Sequence, residues 1–216
     1  MKIITSAAWV GALALASTSA FAANSTGNFF INAGIGQSQY HVGHTDGLGY
    51  KLDEKDTAGA LRFGYAWHVA PTFDLGVEGG YVDLGKLVAS YHYENAAGDH
   101  VVDEHADLNA TGWLAGVNGK FNFADRWYVS ARAGWLHSKA DATYRYSETG
   151  YGTAYASGDA SGDGWYGGVG VGYDFTRDFS MGLSYDNYHA KAKVENALGE
   201  LHSNIGAYMF TAEYRF

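Results

Sequence analysis

The sequence predicts an all-β protein, an eight-stranded antiparallel up-and-down transmembrane β-barrel. Three observations carry that prediction. Eight segments alternate large apolar with small or polar residues at period two, the pattern of an extended chain whose side chains point to opposite faces in turn. The connections between them alternate between tight turns and long polar stretches, as they do when every second connection lies at the same end of a barrel. After residue 22, no segment has the eighteen or so uninterrupted apolar residues of a membrane-spanning helix. A lipid-facing surface in this chain therefore has to be built from strands.

The chain opens "MKIITSAAWVGALALASTSAFAANS". Lys2, a short apolar run from about Ala7 to Ala16, and Ala20-Phe21-Ala22 follow the order of a secretory signal peptide: positive end, hydrophobic stretch, small-x-small cleavage site. Residues 1–22 are expected to be cleaved, leaving 23–216 as one domain. That domain carries 13 Lys and Arg against 23 Asp and Glu, a formal charge of −10, which disfavours nucleic acid because such binding rests on neutralised phosphates. It has no cysteine, so neither disulfides nor thiolate metal sites hold it together. Thirty Gly, seventeen Tyr and a single Pro suit a sheet with a crowded interior and are too aromatic for disorder.

The strands are expected at about 28–38, 57–69, 73–85, 109–123, 127–137, 164–175, 179–188 and 205–216, each close to the length that crosses a bilayer at a tilt. "APT", "ADR" and "TRD" are the tight turns, and 39–56, 86–108, 138–163 and 189–204 the long polar loops. Trp67, Phe73, Phe123, Trp127, Phe175, Phe179 and Phe216 bracket the short-turn end. They read as an aromatic girdle at the membrane–water interface, where a ring with an apolar body and a polar edge is favoured.

A soluble ligand-carrying barrel has the same strand number but the opposite facing. One strand face carries Leu61, Phe63, Tyr65 and Trp67, or Val169, Val171, Tyr173 and Phe175; the other carries Gly168, Gly170 and Gly172, with Ser130, Ser180 and Ser184. A solvent face would be dense in Lys, Glu and Thr, whereas Gly and Ser with scattered charges suit a narrow lumen. The bulky apolar set overfills an eight-stranded interior, which side chains only just fill. It belongs outside, against lipid.

At this point the whole of 23–216 resembles the small eight-stranded outer-membrane barrels of Gram-negative bacteria, the superfamily of the outer-membrane protein A transmembrane domain and the opacity-type surface antigens. "LGVEGGYVDLG" in the third strand is similar to that family's Gly-x-Glu-x-Gly-Tyr-x-x-Leu-Gly pattern, and the last strand ends in Tyr214-x-Phe216. The resemblance implies that Tyr208, Phe210, Tyr214 and Phe216 form the signal read by the barrel-assembly machinery. It also implies that Glu78 is one side of a lumen ion pair that plugs or gates a narrow pore. With no linker or peptidoglycan-binding segment read after the last strand, cell-wall tethering is not expected.

Arg62, Glu78 and Arg132 fall on the inward face at about one level, with Lys120, Glu213 and Arg215 lower. Charges in a low-dielectric lumen must pair, so Glu78 is expected to bridge Arg62 and Arg132, and Glu213 to find Lys120 or Arg215. Most histidines fall in the polar connections: His41 and His44 in the first; His92, His100 and His105 in the second; His189 and His202 around the fourth. Beside Glu94, Asp99, Asp103, Glu104 and Asp107 they suggest a divalent-cation or acid-sensing site, but the spacing fits no metal motif and solvated histidines are the simpler account. His68 and His137 lie in or near strands. Some barrels of this kind deacylate lipid with a His and a Ser on the lipid side; His137 and Ser138 are adjacent, however, and neighbours on a strand face opposite ways.

These readings together predict a monomeric protein of the Gram-negative outer membrane, without cofactor, metal or catalytic site. Its predicted partners are outer-membrane lipid, lipopolysaccharide and the assembly machinery. Its function lies in surface contact through the four long loops, with a host or other cell surface as the candidate ligand. A narrow gated pore is the alternative reading, and a lipid A-modifying enzyme the third.

Overall fold

The computed structural model describes residues 27–41, 51–96, 99–193 and 200–216. The expected signal peptide and His44 lie outside the described residues. Nine strand segments follow in order: β1 (Gly27–His41), β2 (Lys51–Asp53), β3 (Lys55–Ala70), β4 (Phe73–Glu94), β5 (Val101–Phe123), β6 (Trp127–Glu148), β7 (Gly152–Asp174), β8 (Phe179–Lys193) and β9 (Glu200–Arg215). Glu54 alone separates β2 from β3, and both pair with β4, so the two are one stave and the staves number eight. Each is antiparallel to the next, and β1 pairs with β9 to close the barrel. At that seam the backbone N–H of Phe216 donates to the Phe29 carbonyl at 2.9 Å.

The expected short turns are present; in the one between β5 and β6, Ala124 and Asp125 have φ of 48° and 64°. Positive φ at successive turn residues gives a twist that matches the flanking strands. The facing is that of a membrane barrel. Phe63, Leu183, Val169 and Ile35 on the outer surface are each more than 60% exposed, while Arg62 and Asp186 inside are fully buried.

All four expected loops are shortened by strand: the described parts of 39–56 and 189–204 belong to β1, β2, β3, β8 and β9 apart from Glu54, and the other two are almost wholly strand. Residues 86–94 and 101–108 continue β4 and β5 as a ladder from Lys86↔Asn109 to Glu94↔Val101. Residues 138–148 and 152–163 continue β6 and β7 in the same way, so only 95–100 and 149–151 connect these pairs. The apparent end of the third strand at Gly85 is a bulge. Gly85 has φ of +70°, and the register slips between Asp83↔Thr111 and Lys86↔Asn109. One extra residue exchanges the two faces of a strand, so inward positions pass from Leu84 to Leu87. Period-two reading loses the pattern there although the ladder continues.

Candidate functional site

Rows of glycine on the inner wall let distant side chains meet across the lumen. Arg132 on β6, Gly168 on β7 and Asp186 on β8 are successive register partners. A Cβ on Gly168 would stand 1.9 Å from Asp186 Oδ1, so its missing side chain is what lets Arg132 and Asp186 face each other. Likewise Gly116 and Gly134 lie between Glu78 and Tyr166 in register, and the Tyr166 hydroxyl spans that gap to donate to Glu78 Oε1 at 2.7 Å.

The structure corrects the expected ion pairing. Asp186, not Glu78, is the acidic hub: its Oδ2 accepts from Arg62 Nη2 at 3.3 Å, and its Oδ1 lies 3.6 Å from Arg132 Nε. Ser184 Oγ also donates to Asp186, at 3.2 Å. Arg62 donates as well to the Tyr188 hydroxyl at 2.7 Å, while its Nε and Nη1 have no protein partner. Glu78 instead takes Tyr166 and Asn118 Nδ2, the latter at 3.0 Å. Lys120 pairs with Asp174 at 2.6 Å and lies 4.1 Å over the Tyr128 ring. Glu213 pairs with Arg215 at 2.9 Å, and Arg215 also reaches Asp74.

Asp186, Asp174 and Asp74 were missed at the sequence level although each stands on an inward position. Asp186 is two residues past Ser184, where the glycine-and-serine reading of the lumen stopped. Toward the outer mouth the lumen is closed by apolar side chains; Tyr40, Val82, Leu84, Leu136, Tyr188 and Ile205 pack in one cluster. Below it, the polar cavity beside Glu78, Lys120, Arg132 and Arg215 measures about 30 Å³, room for a water or two.

The lower aromatics stand as a ring on the outer surface. Tyr173 lies 5.4 Å from Trp127 and 5.2 Å from Phe175, and Tyr214 lies 5.3 Å from Phe216. Trp67 and Phe123 are exposed outward, Phe73 is half-buried, and Phe179 is half-buried with its ring 6.2 Å from that of Phe175. Tyr208 and Phe210 also face outward. A second ring, missed in the sequence, runs through Tyr81, Trp113, Trp135, Trp165, Tyr185 and Tyr208; Tyr81 and Trp113 are 5.1 Å apart, Tyr185 and Tyr208 4.8 Å. Outward aromatics eight residues apart on one strand, such as Trp127 and Trp135 or Trp165 and Tyr173, give a band about 20 Å high at the usual tilt.

Above the upper ring, β4 continues to Glu94, β5 begins at Val101, β6 continues to Glu148 and β7 begins at Gly152. These four strands stand as one sheet on one side of the mouth, reaching roughly 40 Å along the chain past the ring. Its outward face carries His92 with Asp103 at 2.6 Å and His105 with Asp107 at 3.4 Å. At its tip His100 lies 3.4 Å from Glu148. Among the described residues no three His, Cys, Asp or Glu side chains converge as metal ligands. His137 points outward to Asp163 at 2.8 Å, whereas Ser138 points inward and donates to the Gly162 carbonyl, so the two do not share a substrate face.

The family model of the outer membrane protein beta-barrel domain matches residues 8–216. The chain belongs to this family. It is accordingly a β-barrel protein of the Gram-negative outer membrane. Among solved outer-membrane barrels it is similar to Ail, the attachment invasion locus protein of Yersinia pestis, at 21% identity over 89% of this chain and 100% of that one, with a TM-score of 0.46. It is also similar to OprG of Pseudomonas aeruginosa, at 15% identity over 88% and 96%, TM-score 0.46, and to Neisserial surface protein A, at 9% over 87% and 97%, TM-score 0.42. No curated protein matches the chain.

Proposed function

We propose that this outer-membrane barrel is a surface-interaction protein whose working element is the projecting sheet of β4–β7, and whose lumen is a structural plug. The observation that carries this reading is the contrast between the two parts. The lumen is filled by an ionic network under an apolar cluster, while four strands extend well past the upper aromatic ring. That extension is long, regular and open, which supports contact with something outside the cell. Lipid and lipopolysaccharide surround the band between the rings, and the terminal strand through Phe216 serves as the assembly signal. Residues 1–22 act as the export signal, and the barrel works as a monomer.

The test replaces 86–109 and 138–163 by tight turns. Attachment of cells to the host or abiotic surface they colonise is expected to fall, while the boiling-dependent gel shift of the folded barrel persists. Planar-bilayer conductance separates the alternative. Steps that appear in the intact protein and grow in Glu78→Ala, with attachment unchanged by the truncation, would establish a gated pore instead.

A further inference from the structure

The two faces of the projecting sheet differ in chemistry. Leu87 packs on the apolar cluster that closes the mouth, so its face is the upward continuation of the lumen wall. On that face Leu87, Leu108, Ala89, Ala106, Ala142 and Ala156 floor an open groove of about 340 Å³. Immediately above, Tyr91, Glu104 and Tyr146 are register partners on β4, β5 and β6, a carboxylate set between two phenols. Tyr144, one row below, is hydrogen-bonded to Glu104, and Tyr146 donates to Glu148 on the next row. Neither Lys nor Arg occupies an inner-face position in these rows.

Such a surface selects its ligand by charge and shape. Segments 86–109 and 138–163 hold nine Asp or Glu against three Lys or Arg, a field that repels polyanions and gathers cations. Tyrosine faces attract an ammonium or guanidinium group, and a neighbouring carboxylate pairs with it. Tyr144 stands nine residues past Trp135 on β6, about 30 Å along the strand, beyond the reach of a bilayer headgroup. The groove is open across four strands, whereas small-molecule sites enclose most of their ligand. We propose that this inner face binds a cationic, partly apolar peptide segment of a partner protein, with Lys or Arg against the Tyr91–Glu104–Tyr146 row and apolar side chains over the alanine groove. The proposal rests on the projecting sheet being the interaction element.

The test uses the full barrel in zwitterionic nanodiscs and a fluorescein-labelled ten-residue peptide of alternating Val and Lys, with empty nanodiscs as background. Fluorescence anisotropy should give saturable binding that Glu104→Gln weakens about tenfold, the value of one lost charge-assisted contact, and that Tyr146→Ser weakens similarly. Asp103→Asn removes the same charge one residue away on the opposite face, and should leave binding unchanged. N-acetylation of every Lys should abolish it, and replacing every Val by Ser should weaken it. Equal loss with Asp103→Asn would reduce the effect to a general acidic field and overturn the site. Absence of saturable binding, or binding indifferent to acetylation or to the loss of Val, would overturn it as well. Should the peptide fail while truncation still abolishes attachment, this inference falls and the surface-interaction reading stands.

Discussion

Replacing Asp186 by Asn tests which carboxylate organises the lumen. Asp186 and Arg62 have no exposed side-chain surface and Arg132 has 9%, so the substitution leaves two guanidinium groups facing a neutral amide in a closed space. Removing one partner of a buried ion pair costs about 3–5 kcal/mol, because the remaining charge is desolvated and uncompensated. Glu78→Gln should cost far less, about 1 kcal/mol, since an amide oxygen still accepts from Tyr166 and only part of the charge-assisted bonding is lost. Both changes can be read from urea unfolding in lipid vesicles, followed by tryptophan fluorescence. A double-mutant cycle of Asp186→Asn with Arg62→Met should recover most of the cost, because the least-satisfied cation is gone. The reasoning fails if Asp186→Asn costs less than about 1 kcal/mol, or if Glu78→Gln proves the more damaging of the two.

Gly134→Val should sever Tyr166 from Glu78, since a Cβ there would stand 2.7 Å from the Tyr166 ring; a loss of about 1–3 kcal/mol is expected from overpacking in the same unfolding assay. Gly85→Val should be destabilising because its φ of +70° opposes a β-branched residue and the Thr57 carbonyl would lie 2.6 Å from the new Cβ. Amide hydrogen exchange should then quicken first in 86–94 and 101–109, with the strands between the aromatic rings still protected. Tyr146 is pushed up to about 12, chiefly by its hydrogen bond to Glu148. Because the folded value lies above the unfolded one, the contribution of this bond is present below about pH 10 and lost as pH rises through about 12. Ultraviolet phenolate titration of Tyr146→Phe should therefore lack one component rising near pH 12, and loss of a component near the ordinary phenol value of about 10 would contradict the assignment.

Legibility tracked the range of the signal. The strands between the aromatic rings were readable because lipid outside and a packed lumen inside impose period two locally, residue by residue. The alternation of Leu61, Phe63 and Tyr65 with Arg62 and Gly64 states which face is which without any partner strand. The upper ring was available in the same way, through the outward parity of Trp113, Trp135 and Trp165, but the reading stopped at the short-turn end. Beyond the membrane, neither lipid nor lumen enforces a facing, and the bulge at Gly85 inverts the parity of β4, so the upper parts of β4–β7 read as polar loops.

By itself, then, the sequence determined the architecture, the membrane facing and the inward position of Arg62, Glu78 and Arg132, since each depends only on strand period and composition. The tertiary structure alone decided that Asp186 would meet Arg62 across a separation of 124 residues, and that Tyr166 would cross two glycines to reach Glu78. It also decided that four polar hairpin arms would align into one sheet with a tyrosine-lined inner face. These outcomes depend on barrel closure and register, which bring rows of different strands to one level, and a single strand's alternation carries no information about its neighbour's register.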